Sequence, residues 1–142
     1  MLGPLLVIFG GNGTGDLLND VWYIDLSASV AVWNTVSINT APPSARAGGA
    51  IAAVPLDVSL FYLFGGFSSL GAQNDIWMFE LDRGLWLPMT PSSGSMPAPR
   101  AWHNLVSFRN VFRNSLFGLI VCGGSNDVQR DIMATHGLGL SR

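Results

Sequence analysis

The run Leu5-Leu6-Val7-Ile8-Phe9-Gly10-Gly11, followed by Asn19-Asp20-Val21-Trp22-Tyr23-Ile24-Asp25-Leu26, returns as Leu60-Phe61-Tyr62-Leu63-Phe64-Gly65-Gly66 and Asn74-Asp75-Ile76-Trp77-Met78-Phe79-Glu80-Leu81. Both the Phe-Gly-Gly and the Trp recur 55 positions later, so the two runs superpose without a gap. Self-similarity at such a period marks an array of like units, each needing its neighbours to bury its apolar face. The chain is therefore constrained to a repeat architecture.

The units read as strands. Leu5 to Phe9, Leu60 to Phe64 and Leu119 to Cys122 are short apolar runs, each closed by Gly-Gly, of a length that suits buried strands. A second class, Val21 to Leu26 and Ile76 to Leu81, is introduced by Asn-Asp, a turn-favouring pair. A third, Ala31 to Val36 and Leu85 to Met89, carries one Trp per copy, Trp33 and Trp86. A fourth follows a Pro-rich turn and an Arg: Gly48 to Val54 after Pro42-Pro43-Ser44-Ala45-Arg46, and Ala101 to Phe108 after Pro97-Ala98-Pro99-Arg100. Four short strands per repeat predict an all-β fold built from four-stranded antiparallel propeller blades. The composition agrees: of 142 residues 49% are hydrophobic and 11% charged, with no Lys and a single Glu, Glu80, as expected of strands buried on both faces.

These residues resemble the kelch repeat. In that family a blade opens with Arg-x-x-His on its innermost strand, continues through an apolar strand ending in Gly-Gly and an Asn-Asp-x-Trp strand, and closes with a Trp on the outer strand. Arg100-Ala101-Trp102-His103 matches the opening, and Arg46-Ala47-Gly48-Gly49 matches it except that Gly49 replaces the His. The resemblance divides the chain into repeat 1 over 1–40, lacking its innermost strand; repeat 2 over 41–94, complete; repeat 3 over 95–133, partial; and a tail, 134–142, that departs from the pattern. Propellers use about 4–8 blades. The resemblance thus implies that the missing blades come from a longer parent chain or from self-association, unless the chain is a non-functional truncated fragment.

Several function classes are disfavoured by the residues. Net charge is −2 and the seven basic residues, all Arg, are scattered, so no phosphate-tracking stripe exists and nucleic acid is not expected as a partner. Met1 to Phe9 lacks a basic leader and is shorter than the ~20 residues of a membrane span; with its second half recurring at Leu60 to Phe64, it reads as a strand. No membrane partner is expected. Cys122 is the only cysteine, which precludes an intrachain disulfide and leans toward a reducing, cytoplasmic setting. Gly10-Gly11-Asn12-Gly13-Thr14-Gly15 fits no G-x-G-x-x-G register, and the absence of Lys excludes a P-loop. The Gly-Gly pair instead reads as a strand end needing positive φ or close backbone approach. His103, His136 and Cys122 show no metal-ligand spacing, and no nucleophile has a recognisable base or elbow, so neither a cofactor nor an enzymatic centre is expected within the chain. The resemblance does include an enzyme branch of galactose oxidase type, whose copper centre uses two Tyr, two His and a thioether-linked Cys. Tyr23 and Tyr62 lie inside repeated strands here, and such a centre would have to lie outside this chain.

What remains is a binding surface. Trp22, Trp77, Trp33 and Trp86, at fixed strand positions, are expected to pack between blades. Arg46 and Arg100, each opening an innermost strand, suit either a structural ion pair or a guanidinium at the channel mouth. Trp102, whose counterpart is Gly48, suits either packing or surface contact. Strand alternation sends the segments 12–18, 67–73 and 125–129, together with the linkers 39–45 and 91–99, to one face. These segments are polar and differ between copies, and loops on a rigid scaffold are where binding tends to reside. The candidate partner-binding residues are Asn12, Thr14, Asp16, Phe67, Ser68, Ser69 and Gln73, with Arg46 and Arg100. The resulting expectation is a protein-interaction module; the resemblance adds ubiquitin-ligase adaptors, actin-associated proteins, small-GTPase effectors and scaffolds as the kinds of protein that use such a module.

Overall fold

The computed structural model describes residues 4–92, 94–110, 116–123 and 130–135. They form eleven strands and no helix: β1 (Leu5–Asn12), β2 (Leu17–Asp25), β3 (Asn34–Thr35), β4 (Arg46–Ala47), β5 (Ala50–Val54), β6 (Asp57–Ser68), β7 (Gly71–Glu80), β8 (Leu85–Met89), β9 (His103–Asn110), β10 (Leu116–Gly123) and β11 (Arg130–Thr135). Three antiparallel sheets result, ordered β1-β2-β3, β4/β5-β6-β7-β8 and β9-β10-β11. Each is a meander of chain neighbours, and the second has the four-stranded form of a whole blade, its innermost strand interrupted at Gly48 and Gly49.

The core lies between the sheets. β6 alternates: Phe61 and Leu63 face the first sheet, in a cluster with Val7, Val21, Phe79, Leu81 and Trp86, while Tyr62 and Phe64 face the third, with Ala50, Ala52, Ile76, Leu105, Leu119 and Val121. A strand buried on both faces must be apolar at every position, which is why the runs show no polar alternation. The linker between the first two sheets is fixed by the Asn39 amide N–H donating to the Gly84 carbonyl at 2.8 Å and the Trp86 N–H donating to the Thr40 hydroxyl at 2.7 Å.

Four expectations about strand and loop boundaries are corrected, and one about packing follows. The Gly-Gly pairs do not end their strands but form bulges within them: the ladder shifts register between Phe9 and Gly11 and between Phe64 and Gly66, then continues to Asn12 and Ser68. The segment 67–73 is therefore mostly strand, with Ser69 and Leu70 as its turn, because Phe67↔Ala72 and Ser68↔Gly71 remain paired. The expected strand Ala31 to Val36 shrinks to Asn34–Thr35. Asn39 lies beside the Arg83–Gly84 turn, at the end of the second sheet opposite the β6–β7 turn. The segment 125–129 falls outside the described residues.

Trp86 is 2% exposed, with its ring 4.9 Å from Phe9 and 4.6 Å from Phe79. Trp77 and Trp22 are half-buried and each gives its indole N–H to an Asp two residues earlier, at 2.7 Å and 2.6 Å. Trp33, however, is 44% exposed, contrary to the expected packing role. The reason is positional. Trp86 is covered by the preceding sheet, whereas no sheet precedes the first among the described residues. The same holds for Ile8, 45% exposed against 1% for its counterpart Leu63.

Candidate functional site

The chain enters β4 and β9 beside the β6–β7 turn, and hydrogen bonds show how. Arg46 is paired with Ser68 at the end of β6. The Arg100 N–H donates to the Gln73 carbonyl and the Gly66 N–H to the Arg100 carbonyl, both at 2.9 Å. Asn74 holds the incoming linker through its side-chain amide, which donates to the Pro97 carbonyl at 3.0 Å. The Gly65 bulge makes this approach possible, since a Cβ there would stand 2.6 Å from the Arg100 carbonyl oxygen. The Gly-Gly pair of one sheet is thus the seat for the opening of the next, and Gly10 stands in the same relation to the Arg46 carbonyl.

Beneath this seat Arg46 is 2% exposed and holds Asp75 bidentately, Nη1 to Oδ1 at 2.5 Å and Nη2 to Oδ2 at 2.9 Å. Its remaining donors reach the Gly65 carbonyl, the Ser44 carbonyl and the Ser44 hydroxyl at 2.9–3.0 Å. Burial pushes the Asp75 carboxyl up, but the hydrogen bonds from Arg46 and Trp77 and the Arg46 charge outweigh it, holding the group below its ordinary value. The Arg46 guanidinium is thus fully engaged inside the blade. Arg100 is likewise buried and gives its Nε–H to the Ala98 carbonyl at 3.1 Å.

The other candidate residues divide into two groups. Ser68 is buried and braces the β6–β7 turn: its hydroxyl accepts from the Leu70 N–H at 3.1 Å and from the Gln73 side-chain amide at 3.0 Å. Ser69 is exposed at the tip of that turn, and Asn12, Thr14 and Asp16 are exposed around the β1–β2 turn, which the Gly13 N–H closes onto the Asp16 carbonyl at 2.8 Å.

Phe67 is brought to a residue that the sequence left open. Its ring stacks on Trp102, centroids 5.9 Å apart and planes 27° from parallel, with Phe67 45% and Trp102 68% exposed. Trp102 adopts φ +56°, the left-handed region that Gly48 occupies at φ +63° in the second sheet. Its N–H donates to the Gly48 carbonyl at 2.7 Å, and its indole lies over Gly48, where a Cβ would be 3.0 Å from the ring. The opening of a blade needs a left-handed residue at this place; the second sheet uses glycine and the third a tryptophan. An aromatic in a register position otherwise held by glycine is the sequence signal that set it apart, without deciding between packing and surface contact.

His103, next along, is buried edge-on against Phe64, centroids 5.4 Å apart, and neither ring nitrogen has a complete hydrogen bond. Burial lowers its pKa, the Arg100 charge lowers it further, and the nearby Phe64 backbone offsets only part of this. In the interval between the folded value and the ordinary 6.5, the unfolded chain binds more protons than the folded one. Stability is therefore full above pH 6.5 and falls as pH drops through that interval. Urea midpoints measured between about pH 5 and pH 8 are expected to decline on the acid side, and His103→Phe is expected to flatten the decline.

Comparisons with known proteins follow the same course along the chain. The sequence profile of the KLHDC2/KLHL20/DRC7 Kelch-repeats domain matches residues 1–135. Adagio-like protein 1 of Oryza sativa subsp. japonica is 32% identical over 129 residues, covering 89% of this chain and 19% of that protein. Adagio protein 3 of Arabidopsis thaliana is 30% identical over 127 residues, again 89% of this chain and 19% of the relative. The flagellar outer arm dynein alpha chain of Chlamydomonas reinhardtii is 32% identical over 141 residues, 96% of this chain but 3% of that protein. The chain thus spans about a fifth or less of the length of these relatives. Blades seated by Gly-Gly bulges, a profile match along almost the whole chain and relatives at this identity agree: the protein belongs to the kelch-repeat family.

Proposed function

We propose that this chain is a protein-interaction module whose contact surface is the face carrying the β6–β7 turn and the opening of β9, centred on Phe67 and Trp102. The observation that carries the reading is the exposed aromatic stack itself. Holding a non-glycine residue in the left-handed region costs about 1–2 kcal/mol, and the tryptophan held there keeps two thirds of its surface in water. Strain of this kind persists at sites where it serves a role other than packing. Tryptophan and its aromatic neighbours are also the residues that dominate the centres of protein interfaces. Ser69 and Leu70 at the adjoining turn supply the rim, while Arg46, Arg100, Ser68 and Gln73 hold the platform from beneath rather than touching the partner.

The test is a variant that leaves the fold in place. Trp102→Gly relieves about 1–2 kcal/mol of backbone strain and loses a stack of about 0.5–1.5 kcal/mol, so its stability is expected to stay within about 1 kcal/mol of the parent by urea denaturation. A protein retained by the immobilised parent chain is expected to lose at least tenfold in affinity for Trp102→Gly and for Phe67→Ser. Retention of the same protein at equal affinity by both variants would overturn the assignment of the surface.

A further inference from the structure

At the end opposite the β6–β7 turn, a cleft of about 300 Å³ lies between β2 and β3 of the first sheet and the β7–β8 turn of the second. Both walls are described, and Tyr23 belongs to the side of β2 that packs against the second sheet. The walls are locked together: the Asn39 side-chain amide donates to the Arg83 carbonyl at 2.7 Å, and Gly84 approaches the linker so closely that a Cβ there would collide with the Ser37 carbonyl oxygen. The cleft is therefore preformed, as ligand sites usually are, and its size gives room for one small molecule. Its polar groups are also unengaged. Asp25, Asp57, Asp75 and Glu80 each accept a hydrogen bond from a neighbouring side chain. Among the described residues, by contrast, the carboxylate of Asp82 and the hydroxyls of Tyr23, Thr35 and Ser37 have no partner, and all four residues line the cleft. Arg83, a fifth lining residue, gives one N–H to Glu80 at 3.1 Å and keeps its remaining side-chain donors open.

We propose that this cleft is a binding site for a small neutral polyol with adjacent hydroxyls, of the monosaccharide class. The balance of charge sets the class. Asp82 brings a negative charge and Arg83 a positive one, so an anion such as phosphate would meet the carboxylate and an ammonium would meet the guanidinium. A neutral ligand escapes both penalties. A zwitterionic amino acid is neutral too, but its carboxylate, drawn to Arg83, would come beside Glu80, which already holds that guanidinium. A hydroxyl both donates and accepts. Adjacent hydroxyls can therefore donate to the two oxygens of Asp82, accept from Arg83, and exchange hydrogen bonds with the lining hydroxyls. Val36, Leu81 and the Tyr23 ring supply apolar surface for the C–H face of a sugar ring. The site lies at the opposite end of the sheets from Phe67 and Trp102 and stands whether or not that surface contacts a protein.

The test is ligand-observed saturation-transfer NMR on the 142-residue chain with methyl glucoside, methyl galactoside, methyl mannoside and myo-inositol, and with alanine as the zwitterionic comparison. Saturable binding of at least one of these polyols is expected, with a Kd of about 1 mM, the affinity that a ligand of so few atoms reaches. Asp82→Ala is expected to weaken it at least tenfold while leaving the urea midpoint unchanged, since Asp82 is exposed and has no partner to lose among the described residues. Tyr23→Phe keeps the ring and removes the hydroxyl, and should weaken binding by about threefold to tenfold. Trp102→Gly should leave it intact. Absence of saturation by every polyol, equal binding by Asp82→Ala, or tighter binding of alanine than of any polyol would each overturn the proposal. So would loss of polyol binding in a folded Trp102→Gly, which would place the ligand on the other face.

Discussion

Trp86→Ala is expected to lower the unfolding free energy by about 3–5 kcal/mol, the range for removing a large aromatic from a core. Trp33→Ala, at the corresponding place one repeat earlier, is expected to cost under about 1 kcal/mol, as surface substitutions do. Trp86 stands between two sheets with Phe9 and Phe79 against its ring and Trp77 edge-on at 6.3 Å. Trp33 lies on the open face of the first sheet, where water already covers much of it. Trp86→Phe should fall between the two. It keeps most of the volume and removes an indole N–H that is buried without an acceptor, a group that itself costs about 1–3 kcal/mol when unsatisfied. Urea denaturation of the three variants separates the outcomes, and equal losses at Trp33 and Trp86 would contradict the one-sided packing of the first sheet.

Arg46→Ala is expected to be nearly as damaging, about 3 kcal/mol. Breaking a buried ion pair costs about 3–5 kcal/mol, and the lower end applies because Asp75 remains 35% exposed and can recover water. The loss extends beyond one ion pair, since the guanidinium also ties the Ser44 turn and the Gly65 carbonyl to the start of β4. The pH dependence of the parent chain follows from Asp75. Its folded pKa lies below the ordinary 3.8, so the pair contributes fully above that value and its contribution is lost as pH falls from 3.8 through the folded value. This acid limb begins at 3.8, whereas the one assigned to His103 begins at 6.5. Arg46→Ala should remove most of the lower limb and leave the upper in place, as read from unfolding midpoints across both intervals.

The fold was legible in the sequence wherever one residue type does one job in every copy. The 55-residue offset, the apolar runs and the Gly-Gly pairs located the central strands because a strand covered on both faces admits no polar position. The bulges were not legible, because whether Gly65 ends a strand or bends it depends on Arg100 arriving from the next sheet. The different fates of Trp33 and Trp86 were hidden for a related reason: the local sequences are alike, and burial is decided by whether a sheet lies in front. At the candidate surface, polarity and loop position pointed to Phe67 and Ser69, yet they also selected Ser68 and Gln73, whose polar groups are spent on the turn itself. Trp102 became interpretable only once its backbone conformation was seen to match that of Gly48.

The two-sided burial of β6 also shapes how the molecule comes apart. Phe61 and Leu63 belong to one intersheet cluster and Tyr62 and Phe64 to the other, so a single strand is a member of both cooperative interfaces. In an array whose stability is a sum of unit and nearest-neighbour contributions, the middle unit opens last, because its departure dissolves two interfaces at once while the loss of either flanking sheet dissolves one. Unfolding of this chain is therefore expected to proceed from the flanking sheets inward, with the second sheet the last to open.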